Sequence, residues 1–219
     1  MPILRRITSV FKIAVKAILA LFVVSLIWGR FFPLPSTLII GHIMTGNIPS
    51  WRWVSFDTLS PSLIKAVIAS EDQRFCTHWG VDFVELNAVL SDRSGPSRGA
   101  STLSMQVAKN IYLWPGRSYL RKALELPLAL LLDLLWGKKR MIEIYLNIAE
   151  WGRGIFGAEA AAQFYFKKHA SELTSDEAAR LAASLPNPIR RNPARDSGLA
   201  ARLAEKAAAL TSETACLSW

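Results

Sequence analysis

Two adjacent carboxylates, Glu71 and Asp72, end an apolar stripe in IASEDQRFCTHWG, residues 68–80. Ser60 followed by Pro61 reads as a helix start. Leu63, Ile64, Val67 and Ile68 then recur at helical spacing, and the next positions of that stripe are the two acids. A carboxylate there is partly desolvated, which raises its pKa towards a value useful for proton transfer. Read alone, the segment favours the plainer alternative of a helix end running into solvent.

A second cluster is GASTLSMQVAKN, residues 99–110. Ser101 and Thr102 stand where a helix begins, with hydroxyls and backbone N–H groups able to bind an anion. Gln106 lies one turn before Asn110, beside Lys109. An N-capped helix with a wet polar face explains Ser101, but not so many amides and hydroxyls beside a lysine. In RSYLRKALE, residues 117–125, Arg117, Arg121 and Glu125 are spaced four apart and share a helix face. Arg121 and Glu125 form either a surface pair worth about 0.3 kcal/mol or part of a diphosphate site ordered by Glu125.

Other patterns fail on context. GRGIFG, residues 152–157, matches a dinucleotide-binding glycine pattern but follows a helix rather than a strand. Ser62-Leu-Ile-Lys65 has none of the partner motifs of an acyl-enzyme site. His42, His78 and His169 lack zinc-ligand spacing, so no metal cage is indicated.

The elements that must position these groups are nearly all helical. The pattern predicts helices at 61–73, 82–91, 101–112, 118–136, 138–150, 157–166, 175–185 and 197–210, with a loop at 95–99. Residues 31–60 read as irregular, with short strand candidates at 38–43 and 52–56. Leu124 to Leu135 reads as a buried core helix kinked at Pro127, and Thr174 to Glu177 as a capping box.

The chain has 219 residues, with 26 Lys and Arg against 17 Asp and Glu, a net charge of +9 that calls for an anionic partner. Residues 10–29 are long and apolar enough to cross a membrane once Lys12 and Lys16 snorkel, and no small-residue cleavage site follows. Arg5 and Arg6 before the span, with Lys12 and Lys16 at its entry, place the N-terminus in the cytoplasm and the rest outside. Nucleic acid is thereby disfavoured as a partner, leaving lipid head groups or a lipid-linked anion. Cys76 and Cys216 face an oxidising compartment, where pairing and isolation both remain open. The expected organisation is a cytoplasmic N-terminus (1–9), an anchor (10–29), a connecting segment (30–52), a catalytic domain (53–190) and a helical tail (191–219).

Five ordered motifs over about residues 53–188 resemble the peptidoglycan glycosyltransferases of glycosyltransferase family 51. They are Glu71-Asp72-x-x-Phe75-x-x-His78-x-Gly80, Gly99-x-Ser101-Thr102-x-x-x-Gln106-x-x-Lys109-Asn110, Arg121-Lys122-x-x-Glu125, Lys138-x-x-x-Ile142-Glu143-x-Tyr145-Leu146-Asn147, and Gly152-x-Gly154-x-x-Gly157-x-x-Ala160-Ala161 with Tyr165-Phe166 after it. The chain departs from the family pattern at Ala100, at Asp133 and at Met105, which stands where a glutamine is usual.

The resemblance implies a mainly α, lysozyme-like glycosyltransferase domain on one N-terminal transmembrane helix, without transpeptidase activity, in the bacterial inner membrane. It implies that lipid II is polymerised into β-1,4-linked glycan with inversion and release of undecaprenyl diphosphate, alongside other cell-wall synthesis proteins. Glu71 and Glu125 take the catalytic positions. Asp72, Ser101, Thr102, Gln106, Lys109, Asn110, Arg117 and Arg121 take the substrate-binding ones. No tightly bound cofactor is implied, although Mg2+ can assist through the substrate diphosphate. A lytic glycosidase and a non-catalytic membrane adaptor are the rival classes. The lytic reading leaves the cationic set unused.

Overall fold

The structure, a computed structural model, describes residues 2–91, 100–116, 118–195 and 198–217. The expected loop at 95–99 and the candidate Arg117 lie outside the described residues. The chain forms two compact units that divide after Leu34. In the first, helix α1 (Pro2–Phe31) contains the apolar stretch Thr8–Phe31, 24 residues long. At 1.5 Å per residue it exceeds the roughly 30 Å of a bilayer core. Among the described residues it is the one helix long and apolar enough to span a membrane.

The second unit is almost entirely helical: α2 (Thr37–Met44), α3 (Pro61–Glu71), α4 (Phe83–Ser91), α5 (Leu103–Tyr112), α6 (Tyr119–Ile148), α7 (Ala158–Phe166), α8 (Ser175–Ser184) and α9 (Gly198–Ala209). Helix α3 lies at its centre because its apolar stripe has neighbours to bury against. Leu63, Ile64, Val67 and Ile68 are fully buried, with α8 and α9 packed on the helix. Each such side chain contributes roughly 1.5–3 kcal/mol by leaving water. The helix ends at Glu71, with Asp72 as its C-cap. Helices α5 and α6 form the most extensive helix pair.

The Thr174–Glu177 capping box opens α8 as expected. The break in α6 falls elsewhere than expected. Pro127 is accommodated, while Gly137 alone leaves the helical region, at φ +74°. Proline removes one amide donor, whereas a left-handed glycine redirects the chain outright. The expected division into 118–136 and 138–150 therefore stands, with Gly137 as its cause.

Two strand candidates are corrected, and one hairpin was not anticipated. The strand candidate 38–43 is helix α2, N-capped by Ser36 Oγ, which accepts from Ile39 N at 3.2 Å. The candidate at 52–56 is displaced to β1 (Ser50–Trp51). GRGIFG forms a hairpin of β2 (Glu150–Gly152) and β3 (Ile155–Phe156), with β1 parallel to β3 on its other side. The segments outside the expected 53–190 domain also join the second unit. From residue 37, the connecting segment supplies α2, whose Thr37 hydroxyl donates to Asn110 O at 3.1 Å. The tail supplies α9, and Cys76 and Cys216 form a disulfide with Cα atoms 5.5 Å apart. Short pieces such as these carry too little periodicity to be placed without their partners.

Candidate active site

Two clefts flank α5. The first, about 360 Å³, is lined by Glu71, Asp72, Ser101, Thr102 and Gln106, with Arg74 and Asp82 at the same cleft. The second, about 310 Å³, is lined by Lys109, Asn110 and Arg121, with Thr37, Leu38 and Trp114. Thr37 and Leu38 were not among the candidates, because nothing in a Pro-rich segment marks a helix as cleft wall.

Glu71 closes α3 against α5. Its Oε2 accepts from Gln106 Nε2 at 2.8 Å, and Ser70 Oγ approaches Oε1 at 3.4 Å. Burial pushes its carboxyl above the ordinary glutamate range. The hydrogen bonds from Gln106 and Ser70 oppose that push, Asp72 adds to it, and Lys109 opposes it. Such a carboxylate is a competent base held beside a neutral donor.

Asp72 and Thr102 have internal partners. Asp72 Oδ1 pairs with His78 Nε2 at 2.9 Å, and Oδ2 accepts from Leu103 N, the first amide of α5, at 2.9 Å. Asp72 therefore staples the end of α3 to the start of α5, favoured by the positive helix terminus. Thr102, not Ser101, is the N-cap of α5; its Oγ1 accepts from Met105 N and donates to Gly80 O. Gly80 has φ +70°, and a Cβ there would lie 2.4 Å from Ala129 O. The first motif is thus largely a framework for Glu71. Asp133 completes it, accepting from Gly80 N at 2.7 Å and pairing with Lys138 Nζ at 2.9 Å. Lys138 also lies over the Phe75 ring at 4.6 Å.

A second carboxylate is held very differently. Glu125 is 2% exposed and accepts from Arg121 Nη1 at Oε1 and from Lys122 Nζ at Oε2, the latter at 2.9 Å. Lys122 reaches on to Ser101 Oγ at 2.7 Å, joining the two clefts. Lys122 was absent from the candidate residues, although its place between Arg121 and Glu125 was the signal. Lys109 completes the cluster. Burial lowers its pKa from the ordinary lysine value; Glu125 opposes that shift, while Arg121 and Lys122 reinforce it. Arg121 is buried, and its Nε has no hydrogen-bond partner.

Met105 is 1% exposed and packs in the core. Among the described residues no three His, Cys, Asp or Glu side chains converge as a metal site.

Comparison with known proteins places the chain in a family. The sequence pattern described as Transglycosylase matches residues 40–214. A biosynthetic peptidoglycan transglycosylase of Brucella suis biovar 1 (strain 1330) is 49% identical over 195 residues, covering 88% of this chain and 87% of the relative. Relatives of the same name from Pasteurella multocida (strain Pm70) and Marinomonas sp. (strain MWYL1) are 50% and 51% identical over 181 and 178 residues. Those two alignments cover 78% and 80% of this chain, and 74% and 78% of the respective relatives. The match includes most of α2 and all of α9, the same elements that the structure adds to the compact unit, and this chain belongs to the transglycosylase family.

Proposed function

We propose that the protein polymerises lipid II into β-1,4-linked glycan at the outer face of the bacterial inner membrane, releasing undecaprenyl diphosphate. The observation that carries this reading is a half-buried carboxylate, Glu71, at the end of α3, bonded to α5, whose Lys109 forms with Arg121 of α6 a cationic cluster holding an unpaired guanidinium N–H. A base and a preorganised cationic site are the two requirements of glycosyl transfer from a diphosphate.

Glu71 takes the proton of the acceptor 4-hydroxyl as that oxygen attacks the anomeric carbon of the growing chain. The bond to the diphosphate oxygen breaks on the opposite face, inverting the centre. Lys109 and Arg121, with Arg117 and Asn110, receive the diphosphate; Glu125 fixes the cations and Lys122 in place. Ser101 and Gln106 line the path between them, and Asp72 and Thr102 hold that wall. A divalent cation, Mg2+, would enter with the substrate diphosphate and spread its charge.

Location follows the same logic. Helix α1 anchors the chain, and α2 and α6 of the catalytic unit expose Ile43, Met44, Leu120 and Leu134. Such surfaces suit an enzyme whose substrate carries a polyprenyl tail. The Cys76–Cys216 disulfide suits the periplasm. The test is incubation of the purified full chain with lipid II in detergent or vesicles, with and without chelator. Glycan polymer and released undecaprenyl diphosphate are expected, with less of both under chelator. Cleavage of added glycan without synthesis would replace this reading with the lytic one.

A further inference from the structure

We propose that Tyr145 is a positioning residue for the base: its hydroxyl fixes the Gln106 amide in the orientation that donates to Glu71. The inference rests on the reading of Glu71 as general base. Three elements meet there, with Glu71 at the end of α3, Gln106 on α5 and Tyr145 in the second half of α6, beyond the Gly137 break.

A glutamine amide has a donor end and an acceptor end of nearly the same shape. With Nε2 towards Glu71 it stabilises the carboxylate; with Oε1 towards Glu71 it repels it. Gln106 Nε2 donates to Glu71 Oε2 at 2.8 Å, and Tyr145 Oη donates to Gln106 Oε1 at 3.4 Å. Tyr145 is 2% exposed, so little water competes for its proton. Burial, reinforced by the Glu71 charge, holds that phenol well above its ordinary pKa, and it remains a donor throughout the working range. The direction of the whole chain, phenol to amide to carboxylate, is therefore set at its buried end.

The charged groups facing Glu71 are Asp72 on its own segment, Lys109 from α5, Glu85 from α4, and Arg74 and Asp82 at the same cleft. None of them replaces Tyr145 as a donor to Gln106. Without the phenol, the amide rotates more freely and Glu71 is held less well in both place and charge.

Tyr145→Phe keeps the ring and removes the proton. Two readouts are required. The first is a 13C NMR titration of the Glu71 carboxyl in the full chain, assigned by its loss in Glu71→Gln. Tyr145→Phe should titrate at higher pH than the wild type, a shift that needs no turnover. The second is lipid II polymerisation, where kcat should fall about tenfold or more with KM little changed. In a Gln106→Met background, Tyr145→Phe should cost nothing further, because the amide it orients is gone.

An unshifted Glu71 titration, or an equal loss of kcat in the Gln106→Met background, would overturn the inference. If Tyr145→Phe fails to fold by thermal unfolding, 3-fluorotyrosine at 145 takes its place. That stronger donor of similar shape should lower the pH at which Glu71 titrates, and no change would be equally damaging. If the wild type makes no polymer, the functional reading fails while the titration still decides the role of Tyr145.

Discussion

Glu71, half-buried at the end of α3, and Glu125, buried on α6, are held in opposite ways. Glu71 accepts from a neutral amide and a weakly placed serine, and burial raises its pKa. Glu125 accepts from a guanidinium and an ammonium. The first is left with an unmet demand for a proton; the second has its charge answered by two cations. On the proposed function, environment rather than residue type assigns one to proton transfer and the other to electrostatic order.

The largest break in that comparison is Glu71→Gln. It should reduce polymerisation by about three orders of magnitude. Thermal unfolding should show stability equal to or above the wild type at neutral pH, because a neutral amide replaces a desolvated charge. Glu125→Gln should behave in the opposite sense for stability. The buried Arg121 loses its counter-charge and the partly exposed Lys122 its partner, which costs roughly 3 kcal/mol, most of it at Arg121, and lowers the unfolding midpoint as well as the rate. Equal stability effects at the two positions would erase the distinction.

Next in size is Lys109→Ala, expected to lower kcat/KM about a hundredfold and to weaken a diphosphate-mimicking inhibitor. Unaltered inhibitor affinity would remove Lys109 from the leaving-group site.

The pH profile sharpens the same contrast. Glu71 must be ionised, so activity rises as pH climbs through a pKa above the ordinary glutamate value. Lys109 must be charged, so activity falls as pH climbs through a pKa below the ordinary lysine value. The result is a bell whose lower limb is lost in Glu71→Gln and whose upper limb is altered in Lys109→Ala. For stability the sign is reversed at Glu71. The raised pKa contributes stability when the group is protonated, and that contribution is lost as pH rises through it.

The smallest effect on catalysis should come from the disulfide. It joins the segment just after Glu71 to the chain end across 140 positions. Cys76→Ser with Cys216→Ser should lower stability by about 2–5 kcal/mol in chemical denaturation, with a lesser change in rate.

Most of the helices were legible in the sequence because their apolar spacing is long and regular, as in the fully buried stripe of α3. Glu71, Lys109 and Glu125 were legible as interruptions or clusters against that regularity. The role of Asp72 was not, because its helix-to-helix bond to Leu103 N spans 31 positions and leaves no local trace. Helix α2 was missed because eight residues after two prolines carry little period and its stability comes from α5. The disulfide could not be chosen from two cysteines without the approach of α9 and the chain end.

The central claim is that Glu71 is the base for glycosyl transfer at a diphosphate. Its most direct test is the rate of undecaprenyl diphosphate release from lipid II by wild type and Glu71→Gln, each shown folded by its unfolding midpoint. The wild type should release it in step with polymer growth, and Glu71→Gln should be slower by about a thousandfold. A Glu71→Gln protein that keeps more than about a tenth of the wild-type rate would contradict the account.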